Sequence, residues 1–396
     1  ARVPRATDFR EGAGDAVELR PIALEDLLGR PQAVLDRPAM QALSAGKRVL
    51  VTGAGGSIGS ELVRQISDHG PARLALLDSS EYHLYEIDQE LGRRHPQLAR
   101  AALLADVRDA RRLNALMAAE RPEIVFHAAA LKHVPMVEAH PDEGVLTNAM
   151  GTRIVADACV KHGVGAMIGI STDKAVNPSS VMGASKRLAE QYCQALDLAE
   201  AKKEHGTHFV TVRFGNVLGS TGSVVPLFQK QLAEGGPLTV THPDVDRYFM
   251  TVREAVELVL MASAVGASDR RMSGKVFVLD MGQPVKIVEL ARQMIRLAGK
   301  RPERDIKIAF TGLRPGEKLR EELLHAQEDL VPTGARGNLL ASPRTSDLKL
   351  LARAFDDLER HARAGATAEA LALLKHLVPE YRPTANGAAD TSAAAP

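Results

Sequence analysis

The chain has 396 residues, of which 45% are hydrophobic and 25% charged, and its formal net charge is +1. That size and apolar content suit one large or two packed globular domains. A near-zero charge, 4% aromatics and no tryptophan leave no electrostatic or stacking case for nucleic acid or a membrane surface.

Taken in chain order, residues 1–45 read as a lead-in, with a short docked segment at 21–28. The chain starts at Ala1 rather than Met, and its opening residues are polar. This leads to the expectation of an upstream portion, membrane-spanning in the parent protein, with the present segment cytoplasmic. No run here approaches the roughly 20 apolar residues of a membrane helix. Short apolar runs at 48–52, 73–77, 101–105, 123–127 and 166–170 read as buried parallel strands. They alternate with helical patterns such as 61–69 and 81–95, and the runs at 208–213 and 275–279 extend the series. Repeated β-α units of this kind predict an α/β fold, a doubly wound parallel sheet of Rossmann type. The expected division is a dinucleotide-binding domain over 46–218, joined by the returning strand near 275–280, and a smaller α/β substrate-binding lobe over mainly 219–375. A disordered tail is expected over 376–396. Cys159 and Cys193 lack metal-motif spacing and read as reduced thiols. The 13 histidines show no metal spacing, so no metal is expected.

The first strand runs into Thr52-Gly53-Ala54-Gly55-Gly56-Ser57-Ile58-Gly59, and a helix pattern follows at once. Gly53 permits the tight turn, Gly56 a close approach to a pyrophosphate, and Gly59 close helix–strand packing. The helix N-terminus, at Ser57 and Ile58, supplies N–H donors to phosphate. Tight β-α turns also use glycine for their own sake, but the position between the first strand and a helix favours the cofactor reading. Asp78 ends the second strand, where a carboxylate suits an adenosine ribose and repels a 2′-phosphate, so NAD is expected over NADP. A helix-capping role for Asp78 is compatible with this. Asp106 and Val107 end the third strand and either face adenine or form a simple turn. Ala128 and Ala129 end the fourth, where small side chains suit a cofactor crossing the sheet edge or merely tight packing.

Thr-Gly-x-x-Gly-x-x-Gly, His127-Ala128-Ala129-Ala130 and the position of Lys186 resemble an extended short-chain dehydrogenase/reductase. Four further strings resemble the nucleotide-sugar 4,6-dehydratases of bacterial polysaccharide and glycan biosynthesis: Ala130-Leu131-Lys132-His133-Val134-Pro135-Met136-Val137-Glu138, Ser171-Thr172-Asp173-Lys174-Ala175-Val176-Asn177-Pro178, Arg213-Phe214-Gly215-Asn216-Val217-Leu218-Gly219-Ser220 and Leu313-Arg314-Pro315-Gly316-Glu317-Lys318. Met182 stands four residues before Lys186, where the superfamily has its proton-carrying tyrosine. In this it is similar to the larger, membrane-anchored members acting on UDP-N-acetylglucosamine.

The resemblance implies a reaction in which NAD takes hydride from sugar C4, water leaves across C5 and C6, and the hydride returns to C6, with retention at C5. Asp173 and Lys174 follow the fifth strand, at the sheet edge where ligands bind in such folds. Lys174 is the candidate base at C5, requiring a neutral amine whose pKa nearby positive charge and burial would lower. Asp173 is the candidate acid for the departing C6 hydroxyl. With Met182 unable to move a proton, Asp173 is also a candidate acceptor of the C4 hydroxyl proton. The alternative for the pair is a solvated loop. Thr172 either bonds the C4 oxygen or caps a turn. Lys186 either holds the nicotinamide ribose or is a surface lysine, and Met182 packs as an apolar wall.

Asn216, Arg247 and Arg314 are candidate ligands of the diphosphate or sugar, and Glu317 of the uridine ribose. A turn asparagine and structural ion pairs are the alternatives. Lys132 and His133 are candidate sugar contacts, with His133 as readily a core histidine. A 4-epimerase on the same scaffold and a non-catalytic NAD-binding subunit are the competing readings. The epimerase needs no C5/C6 acid–base pair, and a binding subunit has little use for Asp173-Lys174. By analogy, helices around 148–162 and 185–198 are expected to form a four-helix homodimer contact.

Overall fold

The structure, a computed structural model, describes residues 35–324, 331–332 and 337–383. The docked segment expected at 21–28 lies outside them, as do residues 384–396 of the tail expected over 376–396; residues 376–383 are instead ordered, with Val378 and Tyr381 buried in the core. Six parallel strands form the centre: β1 (Arg48–Thr52), β2 (Arg73–Asp78), β3 (Arg100–Leu104), β4 (Ile124–His127), β5 (Ala166–Thr172) and β6 (His208–Phe214). Their spatial order is β6-β5-β4-β1-β2-β3, so the chain reverses its winding direction between β1 and β4. That is the expected doubly wound sheet. Beyond β6 it gains the parallel strand Val276–Leu279, then the antiparallel strand Asn338–Ala341 and the short Val331–Pro332.

The central strands are apolar along their whole length because both faces are covered. Leu50, Val51, Val125 and Phe126 are all fully buried. One face packs on the helices Ser57–Asp68, Glu81–Arg94 and Val252–Ser268, through residues such as Leu62, Ile66, Ile87 and Val259. The described end of the lead-in is a helix, Arg37–Ser44, capped by the Asp36 side chain and packed on the Val252–Ser268 helix. A third core gathers Val225, Phe228, Leu238, Ile287, Ile295 and Ile308 under the smaller parallel pair Leu238–Val240 and Ile308–Phe310.

The opposite sheet face carries Ala110–Glu120, Gly151–Lys161 and the long helix Val181–Glu200. Here the structure departs from expectation. Two helices from the end of the chain, Leu348–Arg363 and Thr367–Leu377, pack onto Val181–Glu200 and the turn before Gly151. Phe355 stacks on Tyr192 at 4.9 Å between ring centroids, and the Arg153 guanidinium lies over both rings. Residues 181–197 are buried without a break. The face expected to form a four-helix homodimer is thus filled by the chain's own C-terminal hairpin. No sequence signal placed that hairpin there, because its amphipathic pattern states which side is apolar but not what it meets.

No helix among the described residues is long and apolar enough to cross a membrane.

Candidate active site

The glycine-rich turn is built as its spacing implied. Gly53 has φ +66°, and a Cβ there would lie 2.7 Å from the Ala129 nitrogen; a Cβ on Gly59 would lie 1.9 Å from the Gly53 oxygen. The turn, the end of β4 and the first helix therefore pack backbone to backbone, leaving helix N–H groups at a concave edge. Gly55, not singled out from the sequence, is held equally tightly: a Cβ would lie 2.4 Å from His83 Cβ. The Asp78 carboxylate accepts from Gly55 N at 2.9 Å and from Ser80 N at 2.9 Å. It thus ties the turn to the start of the next helix while staying partly exposed at the end of β2. Ser57 Oγ accepts from Thr221 N at 3.2 Å, bringing the 219–223 loop over the turn.

Asp106 is engaged by its neighbour, with Arg108 Nε and Nη2 both donating to Oδ2, at 2.9 and 2.7 Å. Burial works against the charged form, but the Arg108 bonds hold this carboxylate below its usual range. Here Asp106 acts as a turn aspartate. Val107 is buried against Gly151.

Beneath the cradle His127 is sealed between two threonines, with Nδ1 2.8 Å from Thr52 Oγ1 and Nε2 3.0 Å from Thr152 Oγ1. Burial, helped by the charge of Lys186, pushes its pKa from 6.5 down to about 3. The unfolded chain therefore binds a proton below pH 6.5 that the native state refuses. Stability should fall by about 1.4 kcal/mol per pH unit from this residue as pH drops from 6.5 towards 3. Urea unfolding at pH 7 and pH 5 checks it: the loss should shrink in His127→Gln, and an unchanged loss would assign the acid sensitivity elsewhere. Next to it Asn148, also missed from sequence, clamps the loop after β4 by exchanging two bonds with the Leu131 backbone and donating to Ser185 Oγ.

The fifth strand delivers Thr172, Asp173 and Lys174 to the carboxyl edge of the sheet, in a single 3-10 turn. Thr172 Oγ1 donates to Asp173 Oδ1 at 2.9 Å and accepts from Lys174 N at 3.3 Å. Lys174 Nζ donates to Asp173 Oδ1 and to Asn216 Oδ1, both at 3.0 Å, and pairs with Glu321 Oε1 at 3.6 Å. Asp173 is 1% exposed, and its second oxygen, Oδ2, is buried with no partner among the described residues. The alternative of a solvated loop pair does not fit the burial of Asp173.

One expectation is corrected. Lys174 was taken to be a lysine of lowered pKa, and burial does push it that way. The carboxylates of Asp173 and Glu321 outweigh burial and the smaller repulsion from Arg247, and hold the ammonium above its ordinary value. Lys186 behaves as the reverse case: burial lowers its pKa, against weaker opposition from Glu190 and Cys193. Its Nζ donates to Ile170 O at 2.6 Å, so it is no surface lysine. Met182 is buried in the core on the same helix.

That helix reaches the catalytic turn because Gly183 lacks a side chain; a Cβ would lie 2.1 Å from Lys174 O. Its N-terminus is capped by Ser180, and Glu138 accepts from Val181 N at 2.7 Å. Behind Ser171 lies a buried charge network that sequence reading did not find. Glu190 accepts from Ser171 Oγ at 2.6 Å and from Arg213 Nε and Nη2 at 2.8 and 2.7 Å. Burial opposes the Glu190 charge, but Arg213 and Arg187 bring its pKa down to about 2. Arg187 in turn receives Glu380 from the C-terminal segment at 2.8 Å.

Asn216 joins the Asp173–Lys174 pair through Lys174. Arg247 is engaged within the chain. Nη1 and Nη2 donate to the Asp246, Leu319 and Lys318 carbonyls and to Glu317 Oε1, and Nε lies 3.7 Å from Glu321. Glu317 also accepts from Thr241 Oγ1 and from Arg314, which fixes it as a hub of the loop. Arg314 keeps an exposed guanidinium, its side chain 59% accessible. Lys132 and His133 are exposed, and the His133 ring faces Gly222, so it is not a core histidine. Glu321 and Tyr248, which both approach the catalytic turn, carried no sequence signal of their own; Tyr248 Cβ and Asp173 Oδ2 flank the empty side of Gly215.

Comparison with known proteins adds the following. Residues 49–341 match the family described as "Polysaccharide biosynthesis protein". The capsular polysaccharide biosynthesis protein CapD of Staphylococcus aureus is 48% identical over 328 residues, 83% of this chain and 53% of that protein. The chain spans about half the length of such relatives. A UDP-N-acetylglucosamine 4,6-dehydratase (inverting) of Campylobacter jejuni is 32% identical, over 72% of this chain and 79% of its own. A UDP-glucose 4-epimerase of Rickettsia canadensis is 33% identical, over 71% and 79%. Among solved structures, Pen from Bacillus thuringiensis superposes with a TM-score of 0.66 at 32% identity, over 77% of this chain and 91% of that one.

Proposed function

We propose that this chain, which belongs to the polysaccharide biosynthesis protein family and has the extended short-chain dehydrogenase/reductase fold, is a nucleotide-sugar 4,6-dehydratase. Its substrate in this reading is UDP-N-acetylglucosamine and its product the UDP-4-keto-6-deoxy sugar, with retention at C5, for surface polysaccharide or glycan synthesis. One observation carries the reading: a buried carboxylate, Asp173, whose Oδ2 has no partner among the described residues, beside a partly buried lysine, Lys174, at the carboxyl edge of β5. A 4-epimerase needs neither group for C5 and C6, although its sequence similarity to this chain equals that of the named dehydratase.

The residues that would hold NAD are the Gly53–Gly59 turn around the pyrophosphate, Asp78 at the adenosine ribose, Val107, Ala128 and Ala129 along the cofactor, and Lys186 at the nicotinamide ribose. The tight turn, in which a Cβ at Gly53 or Gly59 would strike neighbouring backbone, sets the N-terminus of the first helix beside the partly exposed Asp78, and that arrangement fits this group. When bound, NAD supplies the acceptor that stores the C4 hydrogen and returns it to C6.

The protons are moved by this chain. Asp173 Oδ2 takes the C4 hydroxyl proton as the ketone forms, and Thr172 orients the C4 oxygen. The ketone acidifies C5–H, which Lys174 removes. Asp173 then gives its proton to the C6 oxygen, which leaves as water. Return of the same proton from Lys174 to C5 gives retention. The C4 hydroxyl proton thus ends in the water, and one carboxyl replaces both the missing tyrosine and a separate acid. Arg314, paired with Glu317 but with its side chain 59% accessible, would meet the diphosphate.

Incubation with NAD and UDP-N-acetylglucosamine, followed by product NMR, tests the reading. A 4-keto-6-deoxy product supports it. A 4-epimer would replace it with epimerisation, and unchanged sugar with a binding subunit.

A further inference from the structure

Lys174 enters the cycle charged: its ammonium donates to Asp173 Oδ1 and Asn216 Oδ1, both at 3.0 Å, and forms an ion pair with Glu321 Oε1 at 3.6 Å. An ammonium has no lone pair, so it must shed a proton before it can act at C5. The Asn216 amide oxygen is not basic enough to take it. Asp173, on the dehydratase reading, is already carrying the C4 hydroxyl proton at that moment. The third neighbour is a carboxylate. Glu321 is 7% exposed, and its Oε2 is buried with no partner among the described residues. Arg247 Nε lies 3.7 Å from the same oxygen, Oε1, so Lys174 and Arg247 share this carboxylate.

We propose that Glu321 is a positioning residue that takes the proton Lys174 must lose, and so converts it into the base at C5. This rests on the dehydratase reading and deepens it. The Nζ–H bond breaks and an O–H bond forms on Glu321, so ammonium and carboxylate become amine and carboxylic acid. The amine then takes the C5 proton. After that proton has returned to C5, Glu321 restores the ammonium, and no proton enters or leaves the site. The charged groups facing Lys174 are Asp173, Glu321 and Arg247, and the Tyr248 phenol faces Asp173.

An internal transfer makes the elimination step independent of pH. Glu321→Gln keeps the shape and the acceptor but cannot take a proton, so Lys174 must lose its proton to solvent before the substrate covers it. Loss of a neighbouring carboxylate also lowers the Lys174 pKa, which brings its titration within reach. Rapid-quench single turnovers with NAD and UDP-N-acetylglucosamine separate the steps: reduced-nicotinamide absorbance follows C4 oxidation, and mass detection follows water loss. In the wild type, water loss should be flat from pH 6 to 9. In Glu321→Gln, oxidation should persist while water loss falls about a hundredfold at pH 7 and recovers about tenfold per pH unit. Glu321→Asp, which keeps a carboxyl, should restore the flat profile. Water loss in Glu321→Gln that is flat and fast, or lost equally at every pH, would overturn the proposal.

A second readout needs no turnover. In substrate-free, 13C-lysine-labelled protein, the Lys174 Cε resonance (assigned with Lys174→Arg) should titrate lower in Glu321→Gln than in wild type, and an unmoved midpoint would count decisively against the pair. A wild type that forms no 4-keto-6-deoxy sugar would sink the dehydratase reading, while this titration still judges Glu321.

Discussion

Asp173→Asn is expected to reduce C4 oxidation by about 10²- to 10⁴-fold, the range of a lost general base, with little change in substrate affinity. The amide matches the carboxylate in shape, and its oxygen can still accept from Thr172 and Lys174 in place of Oδ1. What disappears is proton acceptance at Oδ2, the buried oxygen without a partner among the described residues. The loss should therefore fall on the first chemical step, visible as absent reduced nicotinamide in a single turnover. The alternative acceptor in a short-chain dehydrogenase is a tyrosine at position 182, and here that position is a buried methionine. Oxidation at near wild-type rate in Asp173→Asn would remove Asp173 from the C4 step and leave it only the protonation of the C6 hydroxyl.

The parts that could be read from sequence are those whose physics is local. Strands β1 to β6 announce themselves as apolar runs because both sheet faces are covered, and their bounds match the expected ones at β1 and differ by one or two residues at the others. Gly53 and Gly59 are legible because a turn and a helix start fix their spacing. Asp173 and Lys174 are adjacent in sequence, so the pair was visible, but the charge state of Lys174 was not. That depends on Glu321, 147 positions later, and on Arg247, which meet it only once the segments after β6 fold over the sheet edge. The contacts of Arg247 were hidden in the same way: its donors meet Glu317 and three backbone carbonyls, two of them 71 and 72 positions later in the chain.

The largest stability effect is expected from ending the chain at Ser346. Leu351, Phe355, Leu358, Leu374, Val378 and Tyr381 are buried against the face that carries Leu188 and Tyr192. At roughly 1.5–3 kcal/mol per buried side chain, that contact is worth on the order of 10 kcal/mol, comparable with the whole stability of a domain. The deletion also removes Glu380 from Arg187, a side chain 1% exposed, and leaves a buried cation with Glu190 shared between it and Arg213. Breaking a buried pair of this kind typically costs about 3–5 kcal/mol more. Because Glu190 also holds Ser171, next to Thr172 and Asp173, the damage reaches the catalytic turn. The truncated chain should therefore aggregate, or associate through the uncovered Val181–Glu200 helix. Size-exclusion chromatography with light scattering and thermal melting will show which. The single substitution Glu380→Ala, which keeps the apolar cover, isolates the charge contribution. A truncated chain that stays monomeric with an unchanged melting temperature would mean that the hairpin covers this face without stabilising it.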